Sequence, residues 1–137
     1  MPVSILLVDD SFAIRRALRL FLNSCSDCLV CGEAADGLEA IENTQQLRPD
    51  VVVLDLVMPK LNGLETASVL ASRFPDLPII MFTSHMSNAL ERQARAVGIR
   101  AVLSKTDGLE SLLNEIQKLP AHSGNGNGKA REASSGI

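Results

Sequence analysis

The ten residues Asp50–Pro59, DVVVLDLVMP, decide how this chain folds. Val51 to about Leu56 is an aliphatic run rich in valine, closed by Met58-Pro59, and it reads as a strand buried on both faces. Strands of that kind belong to parallel sheets covered by helices, so amphipathic stretches are required on either side. Upstream, VSILLV (Val3–Val8) is a second such strand, stopping at Asp9-Asp10. Phe12 to Leu22 follows as a helix with Ile14, Leu18, Phe21 and Cys25 on one side. Arg15, Arg16 and Arg19 fall mostly on the other side, where a solvated face is a better reading than a DNA-facing one.

The same alternation continues along the chain. LVCGEA (29–34) is the second strand, and Gly37 to Leu47 is the second helix, packing through Leu38, Ile41 and Leu47. After the opening stretch, the turn pair Asn62-Gly63 starts a third helix, NGLETASVLASRF (62–74), and Pro75 and Pro78 end it. PIIMFTS (78–84) is the fourth strand, SNALERQARAVG (87–98) the fourth helix with Gly98 as its C-terminal cap, and RAVLSK (100–105) the fifth strand. The fifth helix, LESLLNEIQKL (109–119), carries an apolar stripe of Leu109, Leu112, Leu113, Ile116 and Leu119. Five strands alternating with five helices predict an α/β doubly wound five-stranded parallel sheet. Right-handed crossovers favour strand order 2-1-3-4-5.

At 137 residues the chain is long enough for one sizeable core, and with 3% aromatic residues and no Trp or Tyr that core is aliphatic. A formal charge of −3 offers no electrostatic reason for direct nucleic-acid binding, and ILLV is too short for a signal peptide or a membrane span. The expectation is a cytoplasmic protein. From Pro120 the composition turns to Gly, Ser and Asn, so residues 1–119 read as the domain and 120–137 as a disordered tail.

In a doubly wound sheet, function collects outside the carboxyl ends of the strands. Strand one ends there in Asp9-Asp10, strand three reaches Asp55, strand four ends in Thr83-Ser84 and strand five in Ser104-Lys105. Singly, each has an ordinary reading: the aspartates suit a helix N-cap, Thr83 and Ser84 a strand end, and Lys105 the surface. Asp55 does not, because a carboxylate within an apolar run costs several kcal/mol unless it is paired or binds a cation. All these bland readings would have to hold together along one edge. Three converging carboxylates repel one another, and a hard divalent cation such as Mg²⁺ resolves the conflict. A carboxylate held near a lysine can also attack phosphorus, giving an aspartyl phosphate.

Taken together, LLVDDS, GEAADGLEAI, PDVVVLDLVMPKLNGLE, IIMFTS and GIRAVLSK, in this order and spacing, resemble the receiver domain of two-component response regulators. The resemblance covers residues 3 to 119 and implies a chemotaxis-regulator-like, flavodoxin-like fold. It implies that Asp55 is the phosphoacceptor, supplied by a histidine kinase, a phosphotransfer protein or a small acyl phosphate. Mg²⁺ would be held by Asp10, Asp55 and the Val57 backbone carbonyl, with Asp9 assisting. Thr83 would be the switch hydroxyl, Lys105 the phosphate-contacting lysine, and Ser84 a small residue leaving room for the phosphoryl group. The implied output is a downstream protein bound at helix four, strand five and helix five, with homodimerisation on phosphorylation a further option. Two positions depart from the family pattern. Val102 stands where many members carry an aromatic switch residue, and Thr106 replaces a proline after the lysine, so a trans link is expected there. Val57 and His85 are placed to tune phosphoryl loss.

Cys25, Cys28 and Cys31 form a C-x2-C-x2-C pattern that would supply three of four metal ligands. No fourth cysteine exists, and His85 and His122 lie far away in sequence, so the three read as structural. Competing functions are a Mg²⁺-dependent phosphohydrolase with Asp9 as nucleophile, a docking receiver independent of phosphate, and the receiver half of a DNA-binding transcription factor.

Overall fold

The computed structural model describes residues 2–119; the expected tail, with His122, lies outside the described residues. Val51–Leu54 forms β3, flanked on one side by β1 (Val3–Val8) and on the other by β4 (Ile79–Thr83), all parallel. β2 (Cys28–Ala34) and β5 (Ala101–Ser104) complete the sheet in order β2-β1-β3-β4-β5, as the alternating pattern predicts. The helices are α1 (Phe12–Asn23), α2 (Gly37–Leu47), α3 (Gly63–Arg73), α4 (Asn88–Ala96) and α5 (Leu109–Gln117).

Side chains of successive strand residues alternate between two core layers. Ile5, Leu7, Val51, Val53, Ile80 and Phe82 pack with Leu18 and Leu22 of α1 and Leu112 and Ile116 of α5. Leu6, Val8, Val52, Leu54, Ile79 and Met81 pack with residues of α2, α3 and α4, including Ala40, Leu70, Leu90 and Ala94. All four β3 side chains are buried, each contributing about 1.5–3 kcal/mol.

Three local expectations are corrected. β3 stops at Leu54, because the Asp55 carboxylate accepts the Leu56 amide (2.8 Å) and Gly63 N–H bonds the Leu56 carbonyl (2.7 Å), ending the ladder. α2 buries Gly37, Ala40 and Thr44 rather than Leu38 and Leu47, which are exposed. A Cβ on Gly37 would strike Thr66 and Leu61, so small residues face α3 and the leucines ride the rim. Cys25 lies past the end of α1, and Cys28 opens β2. A feature with no counterpart in the sequence reading is a bulge in β2: Ile5 pairs with Val30 and Leu6 with Gly32, leaving Cys31 without a ladder partner.

Candidate functional site

The carboxyl ends of β1 and β3 bring Asp9, Asp10 and Asp55 together, with one oxygen from each lying within 4.8 Å of the others. Asp9 is 3% exposed and continues the ladder through its amide to the Ala34 carbonyl (3.1 Å). Its Oδ1 accepts the Ser11 amide (2.9 Å), and its Oδ2 accepts Lys105 Nζ (2.7 Å). Asp10 is exposed. Neither aspartate caps α1, because Ser11 is the N-cap and its hydroxyl accepts the Ile14 amide (3.2 Å).

Asp55 is 6% exposed and held to β1 by its amide bond to the Val8 carbonyl (2.9 Å). Its Oδ2 lies 3.4 Å from Lys105 Nζ, so this one ammonium faces both buried carboxylates. Burial and the Asp9 charge push the Asp55 carboxyl up; Lys105 and the Leu56 amide pull it back only in part. The site is therefore short of positive charge. A purely oxygen donor set, crowded enough to raise a carboxyl, fits a hard divalent cation. The three aspartates thus form an acidic pocket able to hold such a cation.

Thr83 is fully buried at the end of β4, and its Oγ1 accepts the His85 amide (3.1 Å), which leaves the hydroxyl proton available to an acceptor. Ser84, His85 and Val57 are exposed around the cluster's rim. Lys105 opens a short 3₁₀ turn, Lys105–Asp107, capped by the Ser104 hydroxyl accepting the Thr106 amide (3.2 Å); the described residues contain no cis peptide. Val102 is half-buried and packs against the core layer under α2–α4.

The cysteines are free thiols. Cys28 is buried, Cys25 packs beside it, and Cys31 occupies the bulge. Burial pushes the thiols of Cys28 and Cys31 up, disfavouring the thiolate that metals bind. Among the described residues the three do not form a metal-holding group.

Sequence reasoning missed Arg15. Its side chain is only 14% exposed: Nε donates to Glu33 Oε1 (2.8 Å) and Nη1 to the Asp9 carbonyl (2.7 Å). The helical face was legible, but the long side chain turns back from it toward β1 and β2.

A doubly wound sheet with an acidic cluster at this edge is the arrangement of a phosphoacceptor signalling domain. The chain belongs to the response regulator receiver domain family, whose sequence model matches residues 5–117. It is 41% identical over 100 residues to a protein-glutamate methylesterase/protein-glutamine glutaminase of Pyrococcus horikoshii, covering 73% of this chain and 27% of that protein. It is 30% identical over 118 residues to the response regulator protein VraR of Staphylococcus saprophyticus, covering 86% of this chain and 56% of that protein. Among solved structures, the response regulator domain of Thermotoga maritima CheB matches with TM-score 0.81 and 31% identity, over 86% of this chain and 96% of that one. A LuxR-family response regulator from Aurantimonas matches with TM-score 0.82 and 28% identity, over 85% and 84%. The chain thus spans about a quarter to a half of the curated relatives it matches. Among the described residues, no helix is long and apolar enough to cross a membrane.

Proposed function

We propose that Asp55 accepts a phosphoryl group from a phosphohistidine of a kinase or phosphotransfer protein, or from a small acyl phosphate. The observation that carries this reading is the Asp55 carboxylate itself, buried at the end of the central strand beside Asp9, Asp10 and the Lys105 ammonium. A carboxylate oxygen forms the new O–P bond while the bond from phosphorus to the donor's nitrogen or oxygen breaks, and the leaving group departs with that electron pair. Asp10 and Asp55, assisted by Asp9 and joined by the Val57 carbonyl, would hold Mg²⁺. When bound, the ion neutralises charge on the transferring group. Lys105 turns its ammonium from Asp55 Oδ2 to a phosphoryl oxygen, and the Thr83 hydroxyl donates to another. Ser84 leaves space for both.

The inward pull on Thr83 biases the face of α4, β5 and α5 toward a partner-binding state, with Val102 taking part by packing rather than by ring rotation. On this reading residues 1–119 are the receiver, the setting is cytoplasmic, and the cysteines are structural. The chain acts alone or as the receiver of a longer regulator, and phosphorylation can drive a homodimer.

The test is incubation with acetyl phosphate and Mg²⁺, followed by intact mass. A single Mg²⁺-dependent phosphoryl adduct, absent from Asp55→Asn, is the expected result. If no adduct forms and acetyl phosphate is not consumed, the reading fails.

A further inference from the structure

Arg15 is the cation that the acidic site does not explain. Its guanidinium spans two elements, bonding Glu33 on β2 and the Asp9 carbonyl at the end of β1. That carbonyl belongs to the peptide joining Asp9 to Asp10, so its plane sets the direction in which both carboxylates leave the backbone. The two side chains are held very differently. Asp9 is fixed by Ser11 and Lys105, whereas no hydrogen bond or ion pair to another described residue holds the exposed Asp10 carboxylate. Its aim depends on the peptide behind it.

The chain builds this arrangement deliberately at the level of register. Without the bulge at Cys31, strand alternation would turn Glu33 away from α1. With it, Glu33 pairs with Leu7 and faces the α1–α5 layer, while Ala34 turns to the opposite layer. Glu33 then takes Arg15 on Oε1 (2.8 Å) and Arg19 on Oε2 (2.6 Å), so both oxygens are committed and the Arg15 fork has one orientation. The Arg15 guanidinium carbon also lies over the Phe12 ring, 5.8 Å from its centroid.

We propose that Arg15, oriented by Glu33, is a positioning residue that presets the Asp9–Asp10 peptide for divalent-cation binding. This rests on the reading of the aspartate cluster as a Mg²⁺ site. Its direction separates it from simple electrostatics. Removing a positive charge near three carboxylates should by itself tighten cation binding, whereas releasing the peptide should weaken it.

The experiment is Mg²⁺ titration calorimetry on the native protein and on Arg15→Gln, Arg15→Lys and Arg16→Gln. The Lys variant keeps the charge but has no planar fork to serve Glu33 and the carbonyl together. Arg16 is exposed on the next position of α1, so its Gln variant repeats the charge change alone. The expected result is Mg²⁺ affinity weakened about tenfold in both Arg15 variants, the low end for outer-shell partners of a metal site. Affinity is unchanged or tighter in Arg16→Gln. In phosphorylation assays the Arg15 variants should need more Mg²⁺ for half-maximal rate yet approach the native rate at saturation. Native-like affinity in Arg15→Lys, or tighter binding in Arg15→Gln, overturns the proposal while the Mg²⁺ site stands. Absence of Mg²⁺ binding by the native protein overturns both.

Discussion

Asp55 sits where its charge is least welcome, because the strand that positions it also dries it, and Asp9 adds a like charge. Its folded pKa lies above its unfolded one. The stability it contributes is therefore complete below the unfolded value, ~3.9, and is lost as pH rises through the folded value. Above its folded value and without Mg²⁺, the charge on Asp55 counts against the fold. Asp55→Asn is expected to gain about 1 kcal/mol, raising the thermal midpoint by ~4 °C in Mg²⁺-free buffer at pH 7. Saturating Mg²⁺ should narrow or reverse that gap, since the cation stabilises only the chain that binds it tightly. A scanning calorimeter reads both, and a midpoint lowered in Mg²⁺-free buffer would show that Lys105 more than compensates the burial. This residue was legible in the sequence because a carboxylate inside an aliphatic run has few innocent explanations. Arg15 was not, since helical periodicity assigns a residue to a face but says nothing of where four rotatable bonds carry its charge.

Among the elements, β3 and α3 meet at a contact that only glycine permits. A Cβ on Gly63 would strike the Asp55 carbonyl and the Leu56 Cα, so the start of α3 lies directly against the backbone that carries Asp55. The capping box of Asn62 and Glu65 fixes that helix start from the other side (2.9 Å for each bond). Gly63→Ala must push backbone against backbone, and a cost of about 2 kcal/mol is expected, seen as a lower urea midpoint at unchanged slope. Phosphorylation by acetyl phosphate should slow as well, and an unaltered rate would show that the Asp55 backbone had not moved. The Asn62-Gly63 pair announced a turn in the sequence, but not this contact. The same limit explains α2, where leucines suggested the packing face while Gly37, Ala40 and Thr44 make it. Small residues bury themselves by close approach, and approach distance is a property of two elements, not one. The β2 bulge was likewise hidden, because CLVCGEA does not show where the ladder will skip.

Across the whole molecule the titrating carboxylates oppose one another, and their balance gives a pH profile. Burial raises Glu33, but the hydrogen bonds and charges of Arg19 and Arg15 outweigh it and leave the carboxyl below its ordinary value. The Glu39 amide, with Lys60, likewise lowers Asp36. Groups with depressed folded values stabilise the fold above their unfolded pKa, ~4.3 for Glu and ~3.9 for Asp, and that stability is lost as pH falls through the folded value. Asp55 has the opposite sign, so its stability is regained over the range above ~3.9, as pH falls from neutral. In Mg²⁺-free buffer the native chain should therefore be most stable on the acid side of neutrality but above the ordinary carboxylate range, neither at neutrality nor at strongly acid pH. Urea midpoints at several pH values would trace this curve. In Asp55→Asn the rise on lowering the pH from neutral should vanish while the acid fall remains; in Glu33→Gln the rise should remain and the acid fall should shrink. A native profile that only declines from neutral pH would mean that the acidic edge carries no electrostatic strain. The sheet order that gathers these groups was legible from strand alternation and crossover handedness. The strain was not, because it arises from carboxylates on separate strands that only the folded sheet places side by side.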